Sequence, residues 1–329
     1  MDNSVLGNGP AAEPQIVITD GYTLNPGDLS WEPFFKLGKI RYYERTPPAE
    51  ITARCKEASV IVTNKTPING ETINAAKNLR LIAVTATGYN IIDTEAATKN
   101  GVVVCNVPVY GTDSVAQHCF ALILELTNRV GLHAQSVRAG DWARSKDWCY
   151  TLSPIMELAG KTLGIIGFGR IGQQTAKIAA AFGMKLIYYN RSPKNGEGEQ
   201  VGLEELFAQS DFISVHCPLT KDNAGFINEK LLSLMKPTAF LVNTSRGQLI
   251  NENDLAAALR NKTIAGAALD VLSSEPPPAD HPLIGIPQCI ITPHIAWVSH
   301  EARKRMMQST LENIVAFMQG APINRVNGS

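Results

Sequence analysis

Short apolar runs alternate with amphipathic stretches along most of the chain, and this alternation predicts the fold. Runs such as VIVT and LIAV are rich in β-branched residues and end at turn residues, which is typical of buried strands. Strands that alternate with helices favour a parallel sheet covered by helices on both faces. In the first third we predict strands at Gln15–Asp20, Ile40–Tyr43, Val60–Thr63, Leu81–Thr85 and Val102–Cys105, and helices at Glu71–Lys77 and Thr94–Asn100.

A second series of strands and helices begins at Lys161. Its predicted elements are a helix at Gln173–Phe182 and, besides the strand LGIIG, strands at Lys185–Tyr189, Phe212–His216, Phe240–Asn243, Ile264–Asp270 and Ile290–Thr292. The last predicted helix, His300–Gln319, has no sheet left in this series, so we expect it to return to the first. The predicted division is a disordered tail at 1–14, a discontinuous domain at 15–108 and 298–329, and an inserted domain at 109–297.

The two series are joined by a helix and an aromatic segment. The stretch Asp113–Thr127 is apolar on most sides, which predicts a helix buried between layers at the domain junction. Residues His133–Ser153 contain Trp142, Trp148 and Tyr150 without a clear period, and we interpret them as an extended, irregular arm. Aromatic residues in such an arm anchor either on a partner subunit or on their own domain.

Composition excludes several classes of protein. The chain has 329 residues, enough for two domains of ordinary size, and its 30 basic and 30 acidic residues leave no positive surplus for nucleic acid or anionic lipid. Six cysteines occur without a CxxC pair, which favours reduced thiols over disulfides or a metal site. Because no apolar run reaches the length of a membrane span and no secretory signal is recognisable, we expect a cytoplasmic protein.

The segment Gly167-Phe168-Gly169-Arg170-Ile171-Gly172 matches the GxGxxG pattern. It follows a predicted strand and opens a predicted helix, which is the context that a dinucleotide site requires. Gly167 permits the tight turn, Gly169 lets the backbone approach a pyrophosphate, and Gly172 lets helix and strand pack closely. The helix N-terminus supplies N–H groups and a positive dipole end for the phosphates.

The end of the next strand bears on the type of dinucleotide. An acidic residue there would bind the ribose 2′-hydroxyl of NAD, but this chain has Asn190-Arg191-Ser192 and then Lys194. Asn190 can still hydrogen-bond a ribose, while Arg191 and Lys194 suit a 2′-phosphate. The cofactor is therefore NAD(H) or NADP(H), with acceptance of NADP(H) favoured; the alternative is that Arg191 only stacks on adenine or faces solvent and NAD(H) is preferred.

Arg246, Glu275 and His294 are the candidate catalytic residues. Each lies in a loop directly after an apolar run, AFLVN, IAGAALD or CIIT, and ligands of open α/β sheets bind at the carboxyl ends of strands. Arginine matches a carboxylate with its planar fork, histidine exchanges protons near neutral pH, and a carboxylate beside the histidine favours its charged form. This set suits the reduction of an α-keto acid by hydride transfer.

The chain resembles the D-isomer-specific 2-hydroxyacid dehydrogenases over nearly its whole length. The motifs that carry the resemblance are LGIIGFGRIG, HCPLT, NTSRG, ALDV followed by SEPP, and TPHIAW. The segments TDGYTLNPGDLSWEPF, TNKTPI, ATGYNIID and YGTDSVAQH are most similar to the glycerate dehydrogenase (hydroxypyruvate reductase) branch. The missing acidic residue at position 190 departs from the NAD-binding pattern of the family and puts specificity for NAD in doubt.

The resemblance implies a Rossmann-type, doubly wound nucleotide-binding domain inserted into a flavodoxin-like α/β substrate domain, a homodimer, and an active site in the cleft. It implies that Arg246 binds the substrate carboxylate and carbonyl, that His294 transfers the proton and that Glu275 pairs with His294. Thr87 and Gly88 would offer backbone N–H groups to the carboxylate. Trp297 would either line the substrate pocket or pack between the domains. The expected cofactor contacts are Gly167, Phe168, Gly169, Arg170, Ile171, Gly172, Asn190, Arg191, Ser192, His216, Cys217, Pro218, Thr244, Ser245, Arg246, Asp270, His294 and Ala296.

The expected function is the NAD(P)-dependent interconversion of a small 2-keto acid and its D-2-hydroxy acid, with hydroxypyruvate and D-glycerate as the favoured pair. Glyoxylate or a pyruvate-like acid is the alternative substrate; formate is disfavoured because the formate-oxidising members carry Gln at the position of Glu275. A dinucleotide-sensing corepressor, which binds partners instead of turning over a substrate, is the alternative from another class. No metal is expected.

Overall fold

A computed structural model describes residues 13–194 and 196–328, so the tail predicted at 1–14 falls almost wholly outside the described part. The chain forms two compact units. The first comprises the described residues up to Gly111 and those from Val298 onward, and the second comprises Thr112–Trp297.

The strands predicted from the sequence are present, with ends that differ by one or two residues. The strands are β1 Gln15–Ile18, β2 Lys39–Tyr42, β3 Val60–Thr63, β4 Leu81–Val84, β5 Val103–Cys105, β6 Thr162–Ile166, β7 Lys185–Tyr189, β8 Glu199–Gln200, β9 Phe212–Val215, β10 Phe240–Asn243, β11 Gly266–Leu269 and β12 Cys289–Ile291. The α-helices are α1 Gly21–Leu24, α2 Glu32–Phe35, α3 Ile51–Cys55, α4 Gly70–Ala75, α5 Thr94–Lys99, α6 Thr112–Asn128, α7 Val130–Arg138, α8 Asp141–Arg144, α9 Arg170–Ala181, α10 Leu203–Gln209, α11 Glu229–Leu232, α12 Glu252–Arg260 and α13 His300–Met318.

The first unit contains a parallel five-stranded sheet in the order β2-β1-β3-β4-β5. This is the flavodoxin-like order. The strands β3 and β4 are buried at every residue, which explains their continuous Val and Ile content, whereas the edge strand β2 is largely exposed. The helix α13 packs against β4. Its Arg303 is buried and forms two hydrogen bonds with the Asp28 carboxylate, 2.7 and 2.6 Å long, which fix the helix to the chain's first segment.

The second unit contains a parallel seven-stranded sheet in the order β12-β11-β10-β9-β6-β7-β8. Counted within the unit, β8, β7, β6, β9, β10 and β11 reproduce the dinucleotide-binding order 3-2-1-4-5-6, with β12 added at the edge. One face packs against α6 and α9, and the other against apolar residues of α10, α11 and α12. The predicted fold class, a Rossmann-type domain inserted into a flavodoxin-like α/β domain, is confirmed.

The interpretation of residues 133–153 as an irregular arm was wrong in its first half. The helices α7 and α8 cover residues 130–138 and 141–144. Only Ser136 is buried in α7, so no apolar stripe marks the helical period in the sequence. Polar contacts hold the segment instead, since the Ser136 hydroxyl donates to Asp141 Oδ2 at 2.5 Å and lies 2.9 Å from the Tyr150 hydroxyl.

Candidate active site

Three loops at one edge of the seven-stranded sheet carry the candidate catalytic residues. Arg246 follows β10, Glu275 lies in the loop after β11, and His294 follows β12. These strands are parallel neighbours, so their carboxyl ends meet at the same edge. The fold therefore brings the three loops to the same edge of the sheet.

His294 and Glu275 form a direct pair. His294 Nδ1 lies 2.6 Å from Glu275 Oε2, and Glu275 Oε1 accepts a hydrogen bond of 3.0 Å from the Leu272 backbone N–H. Each oxygen of the Glu275 carboxylate thus has a partner, the imidazole for Oε2 and a backbone N–H group for Oε1. Because Nδ1 faces the carboxylate, Nε2 is the ring atom that can exchange a proton with a bound substrate. His294 has a left-handed backbone conformation, with φ of 55°, which this side chain seldom adopts.

Asp270 organises the turn that holds this histidine. Its buried carboxylate accepts hydrogen bonds from the Thr292 hydroxyl at 2.6 Å and from the backbone N–H groups of Ile295 and Ala296 at 2.8 Å each. His118 Nε2 lies 3.4 Å from the same carboxylate and 3.1 Å from the Thr292 hydroxyl oxygen. Burial raises the pKa of Asp270, but the hydrogen bonds from His118, Thr292 and the two N–H groups outweigh it and hold the pKa below its ordinary value.

Arg246 is held by the chain around it. The Asn243 side chain donates to the Arg246 carbonyl at 2.9 Å and accepts from the Ser245 N–H at 2.9 Å and from its hydroxyl at 2.8 Å. The Arg246 guanidinium donates to the Ser245 carbonyl at 2.7 Å. At Gly247 an added Cβ would overlap the Leu272 carbonyl group, so glycine lets the loops after β10 and β11 touch.

The GxGxxG segment has the geometry that a dinucleotide phosphate needs. Gly167 has φ of 93°, and a Cβ there would lie 2.5 Å from the Cys217 backbone nitrogen. A Cβ at Gly172 would overlap the Gly167 carbonyl oxygen, while the space beside Gly169 is open to 4 Å. The helix α9 begins within the segment, at Arg170, with Gly169 as its N-cap. These residues fit a nicotinamide dinucleotide, whose phosphates would be held at the start of this helix.

The end of β7 is ordered by its polar side chains. Asn190 Oδ1 accepts from the Phe168 N–H at 3.2 Å, and Asn190 Nδ2 donates to the Ser192 carbonyl at 2.8 Å, which ties this loop to the glycine turn. Arg191 is exposed and its guanidinium donates to the Thr220 hydroxyl at 3.2 Å. The Tyr188 hydroxyl donates to the Lys194 carbonyl at 2.5 Å. The loop thus presents cationic side chains where a carboxylate would exclude a 2′-phosphate.

Polar groups beside the sheet edge complete the candidate cofactor site. His216 Nε2 lies 2.8 Å from the Ser214 hydroxyl, and burial lowers the pKa of His216 to about 4, so the ring is neutral. Burial raises the pKa of Cys217 to about 11, which keeps it a thiol. The exposed Pro218 has its carbonyl bound by an asparagine side chain. The Thr244 hydroxyl is buried and has no hydrogen-bond partner within the described residues, which suits a residue that contacts a cofactor.

Thr87 and Gly88 follow β4 in the first unit. The Thr87 hydroxyl donates to the Val107 carbonyl at 2.8 Å, and Asn106 Nδ2 donates to the Thr87 carbonyl at 2.8 Å. Asn64 Nδ2 donates to the carbonyl of Thr85, two residues earlier, at 2.5 Å. The side chain and carbonyl of Thr87 are thus committed to the protein, which fits the expected use of backbone N–H groups. Trp297 is buried.

Four polar residues that hold these loops were missed by the reading of the sequence. Three of them are polar side chains after a strand, at a helix start or within an apolar helix, and His281 lies in the loop between β11 and β12; none of these placements identifies the partner. The residues are Asp20, His118, Glu252 and His281.

The described part of the chain contains neither a cluster of metal-binding side chains nor a membrane-spanning helix. Within residues 13–194 and 196–328, no cluster of three or more His, Cys, Asp or Glu side chains could hold a metal ion. In the same part of the chain, no helix has the length and apolar character needed to cross a membrane.

Comparison with known proteins identifies the family. The model of the D-isomer specific 2-hydroxyacid dehydrogenase NAD-binding domain matches residues 120–296. The chain is 45% identical to a hydroxypyruvate reductase from Blautia hydrogenotrophica, over 95% of this chain and 99% of the relative, and 41% identical to a glycerate dehydrogenase from Methylorubrum extorquens, over 88% and 92%. An NADPH-dependent glyoxylate/hydroxypyruvate reductase from Sinorhizobium meliloti, solved with NADP and malonate, matches with a TM-score of 0.81 and 29% identity over 96% of this chain and 97% of that one. The resemblance noted in the sequence is thereby confirmed, and the chain belongs to the D-isomer-specific 2-hydroxyacid dehydrogenase family.

Proposed function

We propose that this protein reduces hydroxypyruvate to D-glycerate with NADPH and catalyses the reverse oxidation with NADP. The observation that carries the proposal is the His294–Glu275 pair, 2.6 Å between Nδ1 and Oε2, on a loop next to that of Arg246. The substrate is supported by the relatives named hydroxypyruvate reductase and glycerate dehydrogenase.

The side chains suit the two halves of the reduction. The bound nicotinamide supplies a hydride to C2 of the keto acid. His294 Nε2 donates a proton to the keto oxygen as negative charge develops there, and Arg246 stabilises that charge and binds the carboxylate. The family resemblance assigns the backbone N–H groups of Thr87 and Gly88 to the same carboxylate. Glu275 stabilises the charged imidazole before it donates its proton.

The cofactor preference is proposed from the loop after β7. No carboxylate occurs between Asn190 and Lys194, and the exposed Arg191 is well suited to a phosphate. The Sinorhizobium meliloti enzyme, which was solved with NADP, is consistent with this proposal. The Arg191→Ala variant should raise the KM for NADPH by about tenfold to a hundredfold and leave that for NADH within about threefold, since a charge-assisted hydrogen bond contributes roughly 1.5–3 kcal/mol. Lys177→Ala, which removes an exposed cation of α9, is the matched control.

A homodimer is proposed from the exposed apolar side chains of residues 130–155. Trp148 is 89% exposed, Trp142 51%, Val130 64% and Ile155 57%. Apolar side chains concentrated on one segment mark an interaction surface, and a second copy of the chain would cover them. Sedimentation velocity should give the mass of a dimer, and Trp148→Ser should shift the equilibrium towards monomer. A monomer at micromolar concentration would contradict the proposal.

The substrate is tested by initial rates with hydroxypyruvate, glyoxylate and pyruvate, each against NADH and NADPH. We expect the highest kcat/KM for hydroxypyruvate with NADPH. A preference for glyoxylate or pyruvate would show that hydroxypyruvate is the wrong substrate, while the class of enzyme would stand. Negligible rates with all three acids, together with saturable dinucleotide binding, would overturn the proposed activity and favour the corepressor-like alternative.

A further inference from the structure

A group of polar side chains, Glu252, Ser273 and His281, holds the loop that carries Glu275. Glu252 is the first residue of α12, and its side chain is 11% exposed. Its Oε1 accepts a hydrogen bond of 2.7 Å from the Ser273 backbone N–H, and its Oε2 accepts one from the Ser273 hydroxyl. His281, whose side chain is 4% exposed, places Nε2 3.1 Å from the same Oε2. One carboxylate therefore binds both polar hydrogens of a single loop residue.

The hydrogen bonds assign the donor and acceptor roles in this group. His281 Nδ1 accepts from the Leu283 backbone N–H at 3.4 Å, so Nε2 carries the hydrogen that His281 donates to Glu252. Glu252 also lies at the positive end of the α12 dipole. The Glu252 carboxylate therefore has three hydrogen-bond donors around it, two from Ser273 and one from His281.

The same loop segment is fixed from its other side. Gln248 Nε2 donates to the Ser273 carbonyl at 2.8 Å. Gly247, the neighbour of Arg246, lies against the peptide that joins Leu272 and Ser273, since an added Cβ would overlap that peptide. This peptide is the point at which the loop of Arg246 contacts the loop of Glu275. A displacement of this peptide would therefore affect the loops of both Arg246 and Glu275.

Leu272 connects this peptide to the catalytic pair through its own backbone N–H group. Leu272 N–H donates to Glu275 Oε1 at 3.0 Å, and Glu275 Oε2 meets His294 Nδ1 at 2.6 Å. A shift of this segment would move the carboxylate away from the imidazole. Misplacement of a catalytic group by about 1 Å costs on the order of 10²-fold in rate.

We infer that Glu252 is a positioning residue for the Glu275–His294 pair, with His281 completing its hydrogen bonds and Ser273 as the point of contact. The inference rests on the proposed function, because it requires Glu275 and His294 to act in the reaction. Glu252 acts only through the loop that carries Glu275.

The test is a double-mutant cycle with hydroxypyruvate and NADPH. Glu252→Gln keeps the shape of the side chain but places an NH₂ group against the donors of Ser273 and His281. We expect kcat to fall about tenfold to a hundredfold, the range expected when a catalytic group is misplaced by up to ~1 Å. The dissociation constant for NADPH should stay within about twofold, because the glycine turn that would hold its phosphates follows β6, two strands away from β10 in the sheet. Glu204→Gln, which removes an exposed carboxylate paired with Lys230, is the control of equal charge change.

The double variant Glu252→Gln/Glu275→Gln separates positioning from general stability. If Glu252 acts through Glu275, the double variant should have the kcat of Glu275→Gln alone within about twofold. Multiplicative losses would overturn the inference, as would a Glu252→Gln enzyme with a lowered melting temperature and an unchanged kcat. Ser273→Ala removes one hydrogen bond with little risk to folding and should lower kcat in the same direction. If Glu275→Gln itself retained full kcat, the proposed catalytic role of Glu275 would fail, independently of the inference about Glu252.

Discussion

Both units have a buried aspartate that orders a loop at the carboxyl edge of the sheet, but the two ordered loops differ in function. In each unit a buried aspartate follows a strand and binds the backbone of the loop after a neighbouring parallel strand. Asp20 follows β1 and accepts from the N–H groups of Asn64, Lys65 and Thr66 after β3, at 2.9, 2.5 and 2.8 Å. Asp270 follows β11 and accepts from N–H groups in the loop after β12.

The difference lies in what the ordered loop presents. The loop fixed by Asp270 carries an imidazole paired with a carboxylate, so side-chain chemistry depends on it. The loop fixed by Asp20 reaches the candidate substrate residues indirectly, since Asn64 binds Thr85 and Thr87 follows two residues later. One buried aspartate therefore supports reacting side chains, and the other supports a backbone platform.

The largest expected effect contrasts His294, on the loop that Asp270 fixes, with Thr87 of the first unit. His294→Ala should lower kcat by about 10²–10⁴-fold, the usual contribution of a positioned general acid. Thr87→Ala should lower kcat/KM by less than about tenfold, because only one internal hydrogen bond is lost and the backbone N–H groups remain. Steady-state kinetics with hydroxypyruvate and NADPH measures both. Near-normal turnover by His294→Ala would show that His294 is not the general acid, and the contrast with Thr87 would then fail.

The next effect concerns Asp270 itself. In Asp270→Asn an NH₂ group replaces one acceptor oxygen and faces hydroxyl or N–H donors in a buried site, which should cost about 3 kcal/mol of stability. The rate should fall as well, since the turn of His294 loses its support. Denaturant unfolding and kcat are measured on the same preparation. Lost stability with unchanged kcat would reduce Asp270 to a structural role.

Asp20→Asn is the matched change in the first unit, with a smaller expected effect on the reaction. It should cost about 2 kcal/mol of stability for the same reason, as a buried donor is left facing a donor. We expect a higher KM for the keto acid and a kcat close to that of the unchanged enzyme, because no proton-transferring group sits on this loop. A kcat loss as large as that of Asp270→Asn would show that the two aspartates act alike.

The smallest expected effect is in the response to acid, which should begin in the second unit. Five of the six histidines, all but His300, lie in that unit. Burial lowers the pKa of His216 to about 4 from its ordinary 6.5, so the folded state binds fewer protons than the unfolded chain between these values. The stability of the second unit is thus highest above pH 6.5 and declines as the pH falls towards 4. His216→Asn should flatten this part of the profile in hydrogen-exchange measurements.

The first unit should respond at lower pH. Hydrogen bonding to Arg303 lowers the pKa of Asp28 to about 2. The stabilisation from this pair is therefore present above the ordinary carboxylate pKa of 3.8 and is lost as the pH falls towards 2. Exchange protection near α13 that fell together with that of the second unit, between pH 6.5 and 4, would contradict the assignment.

Several elements of the structure were not predicted from the sequence, for identifiable physical reasons. The helices α1, α2 and α3 have four or five residues, too few for a helical period to appear. The helix α7 buries a single serine and is held by polar contacts. The two-residue edge strand β8 is fully exposed and carries no apolar signal. Periodicity reports burial, so elements that bury little leave no pattern.

The sequence by itself determined the alternation of strands and helices, the glycine turn at 167–172, and the loops that carry Arg246, Glu275 and His294. Such signals are local, because strand burial, turn geometry and motif spacing are all written within a few consecutive residues. The tertiary structure alone decided which side chains support those loops. Asp20 meets a residue 44 positions away, His118 meets one 174 away, and Glu252 meets one 21 away. Hydrogen-bond partners at such separations depend on how neighbouring strands are ordered in a sheet, and a single sequence does not record that order.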